Sequence, residues 1–189
     1  MSDPPKSDSL SRSPGTGRPA GSARRVGKPG PAVVDEPVLD AERIFRVLQE
    51  FKVEYVLIGG IAVQTHGHVR MTNDADLIPA PDAGNLARLA DALNSMDAKV
   101  LDPGHETGAI TAAMLPRSTI WQFTTRDGNI DVMHEVPGGR DFEQLSRDAM
   151  RISLGDVDIP VVALDDLVRM KLARGRKVDL EDVAALTDD

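Results

Sequence analysis

Apolar residues recur along this chain with two different periods. After Asp40, a suitable N-cap, Ile44, Val47, Leu48 and Phe51 fall on one face of a helix. Tyr55–Ile58 then runs four apolar residues in succession, the pattern of a buried strand, and Gly59-Gly60 stops it. Ile61–Thr65 fits a short helix ending at Gly67. A strand over Ala75–Ile78 follows, closed by Pro79 and Pro81, and Asp82 caps a second amphipathic helix carrying Leu86, Leu89 and Leu93. A weaker strand is predicted near Lys99–Leu101. Between Thr119 and Val136 the period drops to two: Ile120, Trp121 and Phe123 supply β-formers, Asp127-Gly128 a turn, and Asn129–His134 the returning strand. The last third predicts a helix over Phe142–Ala149, strands over Arg151–Leu154 and Val157–Val162 about a Gly155-Asp156 turn, and helices over Asp165–Ala173 and Asp179–Leu186. No internal repeat is present.

Upstream of Asp40 the pattern vanishes. Residues 1–37 hold seven of the thirteen prolines and almost no large apolar side chains, so they bury too little surface to offset the entropy of ordering. They read as a disordered basic tail, either without a specific role or serving as an electrostatic arm for RNA or an acidic partner. Residues 1–33 carry six basic and two acidic side chains; the chain as a whole is −8, so residues 34–189 carry −12. An acidic body of that size argues against a general DNA-coating protein, while leaving room for a local basic patch. With 189 residues, one catalytic-sized domain is expected. The absence of cysteine excludes disulfides and thiolate metal sites, leaves hard oxygen ligands as the natural metal chemistry, and fits a cytoplasmic location. No apolar run is long enough to span a membrane.

The chemistry concentrates in Arg70-Met71-Thr72-Asn73-Asp74-Ala75-Asp76-Leu77. On a strand, Asp74 and Asp76 point to one face with side-chain origins roughly 6–7 Å apart. Two carboxylates so placed repel each other unless a cation lies between them. Asp131, between Ile130 and Val132, sits on the opposite face of its strand from those two residues, a face that can also carry Asp74 and Asp76. Gly59 and Gly60 permit positive φ and close backbone approach, and the helix start that follows offers free N–H groups to anionic oxygens.

Three motifs in order, Leu57-Ile58-Gly59-Gly60-Ile61-Ala62-Val63, then Arg70-x-Thr72-x-Asp74-x-Asp76-Leu77, then Ile130-Asp131-Val132, resemble the nucleotidyltransferase superfamily typified by DNA polymerase β. The segment from Leu164 to Asp182 is similar to the tail of its stand-alone bacterial branch, which includes the AbiEii and MenT-type toxins. The resemblance spans roughly residues 40–187 and implies an α/β (α+β) fold: a small mixed or antiparallel twisted sheet flanked by helices. It divides the chain into the tail 1–37, a nucleotidyltransferase core over 38–163, and a helical C-terminal extension of the same domain over 164–189. It further implies that Asp74, Asp76 and Asp131 hold two Mg²⁺ ions, with Mn²⁺ as a substitute, while Gly59 and Gly60 let the backbone approach the nucleotide. Arg70 and Thr72 either position its phosphates or end the loop, and Arg70 is close enough in sequence to the acidic pair to be its salt-bridge partner in the metal-free protein. Lys171 and Asp179 match functional positions of the toxin-like branch, and Arg174 and Arg176 complete a basic cluster suited to phosphates, the alternative being a solvated helix end where Lys171 complements the C-terminal dipole. One departure stands out: many members carry Gly-Ser at the turn, where this chain has Gly-Gly.

The reaction so implied moves a nucleoside monophosphate from an NTP to a hydroxyl and releases pyrophosphate. The first acceptor is an RNA 3′ end, tRNA, with the protein acting as the toxin of a toxin–antitoxin pair and meeting a cognate antitoxin. The alternatives are a small aminoglycoside- or lincosamide-like alcohol, and a non-catalytic, antitoxin-like binding module. The other candidates are weaker. His66 and His68 flank Gly67 without a third zinc ligand nearby, His105 and His134 lack a serine nucleophile in a recognisable motif, and Trp121 fits the hairpin core better than a stacking platform.

Overall fold

The computed structural model describes residues 37–101 and 108–188. The tail read over 1–37, apart from Pro37, and His105 lie outside them. Helix α1 (Ala41–Glu50) begins at the Asp40 cap, whose carboxylate accepts the Arg43 N–H at 3.1 Å, and buries Ile44, Phe45 and Leu48. Strand β1 (Tyr55–Ile58) is buried at all four positions, as expected of an uninterrupted apolar run. Helix α2 (Gly59–Thr65) starts two residues earlier than the pattern predicts, because Gly59 at φ +69° turns the chain from strand to helix in a single residue.

Strand β2 (Asp74–Pro79) leads to helix α3 (Ala83–Ser95), capped by Asp82 through the Asn85 N–H, and to the short strand β3 (Lys99–Val100). The predicted hairpin is β4 (Ile120–Thr125) and β5 (Gly128–Met133). Trp121 belongs to its core: it is buried, stacks on Phe123 at 6.3 Å, and donates its indole N–H to the Leu115 carbonyl at 2.8 Å. Helix α4 (Phe142–Asp148), strands β6 (Met150–Leu154) and β7 (Val157–Val161), and helices α5 (Leu164–Arg174) and α6 (Lys177–Thr187) complete the chain.

The seven strands form one mixed sheet in the order β3-β4-β5-β2-β1-β7-β6. It is larger than the small sheet expected, since the β6–β7 hairpin joins it through a parallel pairing of β7 with β1. At its centre β2 runs antiparallel to β1 and parallel to β5. Alternation fixes the β2 register. Ala75 and Leu77 are fully buried on one face, so a one-residue slip would drive Asp74 and Asp76 into the core. Burying Leu77 alone is worth about 2 kcal/mol, and the slip would forfeit it while desolvating two charges.

The C-terminal pair is folded back by Gly175. At φ +66° it closes α5, its N–H donating to the Lys171 carbonyl at 2.9 Å, and α6 then packs against α5. Helix α5 in turn touches α2, the helix that follows the Gly59-Gly60 turn. Among the described residues no helix is long and apolar enough to cross a membrane.

Candidate active site

Register assembles the acidic centre. Ile58 pairs with Asp76, Asp76 with Asp131, and Asp131 with Gln122, so one row crosses β1, β2, β5 and β4. Asp74 lies two residues before Asp76 on the same face. One carboxylate oxygen from each of Asp74, Asp76 and Asp131 lies within 4.8 Å of the others. The face predicted for Asp131 is therefore the face it occupies.

Burial makes this cluster electrostatically costly. Asp76 is 9% exposed and its carboxyl is pushed up to about 6, by loss of solvent first and then by the charges of Asp74 and Asp131; a Gly60 backbone N–H and Arg174 pull the other way. Desolvation also raises Asp131, against a hydrogen bond from Gln122, whose Nε2 donates to both carboxylate oxygens at 3.3 and 3.1 Å. Thr72 donates its hydroxyl to Asp74 Oδ1 at 2.9 Å. Three hard oxygen donors so close, two of them depleted of water, form a donor set that fits divalent cations.

The two glycines are required by this packing. A Cβ on Gly59 would lie 1.7 Å from Asp76 Oδ2, and one on Gly60 would lie 2.3 Å from Thr72 Oγ1 and 3.2 Å from Arg70 Nη2. The Gly-Gly departure thus has a local cause: the Thr72 hydroxyl already fills the space that a serine at position 60 would enter.

A cavity of about 290 Å³ opens between this end of the sheet and helices α5 and α6. Asp74, Asp76, Asp131, Gly59, Gly60 and Arg70 line it from the sheet side, and Lys171, Arg174, Arg176 and Asp179 from the helices. Thr72, the remaining predicted site residue, stands behind Asp74 through their hydrogen bond.

The cations differ in what surrounds them. Lys171 is 5% exposed, and its Nζ lies 2.7 Å from Asp182 Oδ2 and 3.4 Å from Asp179 Oδ1, so it is neither a solvated helix end nor a free point charge. Arg176 grips Asp179 with two N–H groups at 2.7 and 3.1 Å. Burial pushes the Asp179 carboxyl up, but Arg176 and Lys171 outweigh it and hold the group below its ordinary range. Arg70 does not pair with the Asp74/Asp76 carboxylates that neighbour it in sequence; its Nε lies 2.9 Å from Asp182 Oδ1, close enough for an ion pair though not aligned as a hydrogen bond. His66 is occupied elsewhere, its Nε2 lying 2.8 Å from the Val162 carbonyl.

Sequence reasoning missed Gln122 and Asp182. The first was within reach, since a turn at Asp127-Gly128 that pairs Thr125 with Gly128 also pairs Gln122 with Asp131. Asp182 ends the segment that carries the C-terminal resemblance and lies three residues after Asp179, one turn along the same helix, but neither signal singled it out.

A family model described as a nucleotidyltransferase of unknown function (DUF6036) matches residues 39–187, nearly all of the folded chain. The chain belongs to that family. It is therefore an enzyme of the nucleotidyltransferase class, with an acidic triad able to hold divalent metal. Solved structures share the fold of this nucleotidyltransferase at low identity. The lincosamide antibiotic adenylyltransferase LnuA, bound to lincomycin, is 18% identical with a TM-score of 0.55, over 80% of this chain and 98% of that one. A nucleotidyltransferase-fold protein from Thermotoga maritima is 14% identical with a TM-score of 0.50, over 76% and 88%. The antibiotic-resistance factor ANT(2″)-Ia is 12% identical with a TM-score of 0.50, over 77% and 79%. No curated protein matches the nucleotidyltransferase by sequence.

Proposed function

We propose that this protein transfers a nucleoside monophosphate from an NTP to a hydroxyl, with Asp74, Asp76 and Asp131 holding two Mg²⁺ ions, which Mn²⁺ can replace. The observation that carries the reading is the triad itself: three carboxylates within 4.8 Å, two of them buried, beside a cavity whose opposite wall is cationic. Bound divalent ions would supply charge neutralisation at the attacking and leaving oxygens. In the reaction the acceptor oxygen bonds to the α-phosphorus, the bond from that phosphorus to the α–β bridging oxygen breaks, and pyrophosphate leaves. Asp131, whose affinity for protons is raised by burial, accepts the hydroxyl proton, and Gln122 holds its carboxylate in place. Gly59 and Gly60 leave the triphosphate room to approach the backbone, with Arg70 and Arg174 opposite its charge and Thr72 fixing Asp74.

For the acceptor, the resemblance to the AbiEii/MenT branch favours an RNA 3′ end, tRNA, in a cytoplasmic toxin countered by an antitoxin. One observation favours the second reading, a small cationic alcohol of the aminoglycoside or lincosamide kind. Arg70, Lys171 and Arg176 share the two carboxylates of Asp179 and Asp182, and Arg174 is the lining cation without an ion-pair partner among the described residues, so these groups sum to +2 across from the three carboxylates of the triad. Such a cleft carries little surplus charge for a polyanion. Incubation with Mg²⁺ and each α-labelled NTP, offering tRNA, a panel of aminoalcohols or no acceptor, separates the readings. Label on tRNA supports the first and label on a small molecule the second; no transfer to any acceptor overturns the enzyme reading and leaves the binding module.

A further inference from the structure

Asp182 closes the Leu164–Asp182 segment without being singled out there as a site residue, yet it is a buried carboxylate beside the active site that two cations engage. Its side chain is 2% exposed and faces cations from two other segments: Lys171 Nζ of α5 at 2.7 Å, and Arg70 Nε of the loop before β2 at 2.9 Å, with His68 Nε2 at 4.0 Å. A buried carboxylate is costly unless paired, and this one is held by groups drawn from two segments more than a hundred residues apart.

The consequence lies at the other end of Arg70. A guanidinium is a rigid planar fork, so fixing Nε also fixes where the two terminal nitrogens point. Nη1 donates to the Met71 carbonyl at 2.9 Å, while Nη2 reaches the space above Gly60, 3.2 Å from where a Cβ there would stand. Asp182 thus draws the Nε side of Arg70 toward it as an ion pair, the Met71 carbonyl holds Nη1, and Nη2 meets the Gly59-Gly60 turn on the wall of the triad cavity. The same carboxylate holds Lys171, which lines that cavity from the opposite side.

We propose that Asp182 is a positioning residue of the nucleotide site: it sets the Arg70 fork, and with it Lys171, to receive the triphosphate beside Gly60. The inference rests on the nucleotidyl-transfer reading and adds to it a residue that touches no substrate. Without the carboxylate, Arg70 keeps its charge and its bond to the Met71 carbonyl but loses the ion pair that draws its Nε side away from the cavity. A structural brace alone would alter melting; a positioning residue alters triphosphate affinity through Arg70.

The test is a double-mutant cycle on the full chain, read by calorimetric titration with magnesium tripolyphosphate, which needs neither base nor acceptor. Asp182→Asn and Arg70→Ala are each expected to weaken binding about tenfold, and the double variant to lie within about twofold of Arg70→Ala, since both remove one interaction. Losses that multiply, or tight binding by Asp182→Asn, overturn the proposal. Arg70→Lys provides a second route that does not depend on the folding of Asp182→Asn: it keeps the charge but has no Nε edge and no fork, so binding as weak as in Arg70→Ala is expected, and wild-type binding overturns the proposal. Wild-type protein that neither binds tripolyphosphate nor transfers nucleotide overturns both readings together. Transfer that depends on Asp74 but is indifferent to Asp182 and to the geometry of Arg70 overturns this inference alone.

Discussion

Replacing Asp76 by asparagine should stabilise the protein when metal is chelated. The carboxyl titrates near 6, against 3.8 for a free aspartate, so the folded chain holds a proton that the unfolded chain has already released. Between those values the folded state binds more protons, and stability falls as the pH rises from about 4 to about 6. Two pKa units correspond to about 3 kcal/mol lost by neutral pH. Asparagine has the same shape, carries no charge, and can still accept the Gly60 N–H. At pH 7.5 in EDTA, Asp76→Asn should therefore exceed wild type by up to about 3 kcal/mol, roughly 6–12 °C in melting temperature for a domain of this size. The gap should close below about pH 4. Added Mg²⁺ should reverse the order, because wild type gains by mass action what the variant cannot bind. Thermal melts of both proteins, at both pH values and with and without Mg²⁺, decide it. An Asp76→Asn protein that is no more stable than wild type in EDTA at pH 7.5 would refute the argument that burial, reinforced by the neighbouring carboxylates, strains the Asp76 charge.

Two further substitutions probe the packing behind the site. Gly60→Ala places a methyl 2.3 Å from Thr72 Oγ1, so it should cost about 1–3 kcal/mol in urea melts, and pairing it with Thr72→Ala should recover part of that loss; additive costs would show that the clash is not the cause. Lys171→Met leaves Asp179 and Asp182 buried with Arg176, Arg70 and the more distant His68 as partners, at a cost of about 3 kcal/mol, the low end for a broken buried pair. Because the depressed Asp179 titration contributes stability above its ordinary pKa and loses it as the pH falls through the folded value, the Lys171→Met penalty should shrink in acid; a penalty constant with pH would contradict the assignment.

The strands and helices were legible because each buries a regular apolar pattern. Tyr55–Ile58, the Asp40 and Asp82 caps and the turn at Asp127-Gly128 all fall where local chemistry places them. The shared face of Asp74, Asp76 and Asp131 was readable from strand alternation, which the core enforces. Illegible were the contacts that close long loops. Arg70 lies four residues from Asp74, and sequence proximity suggested an ion pair there, but the chain places Asp182, 112 residues away, against its Nε instead. For Lys171 the sequence left a solvated helix end and a site cation both open, because nothing local announces that Gly175 folds α6 back over it. The β6–β7 hairpin was recognised as a pair, but its parallel attachment to β1 depends on a register that no single segment encodes.

The most direct test of the central claim follows two labels through one turnover. Protein with Mg²⁺ and acceptor receives NTP labelled at either the α- or the γ-phosphate. Nucleotidyl transfer at the Asp74, Asp76 and Asp131 centre predicts α-label on the acceptor, γ-label released in pyrophosphate, and loss of both in Asp74→Asn. Label from the γ-phosphate on the acceptor, or α-label transfer that survives Asp74→Asn, would contradict it.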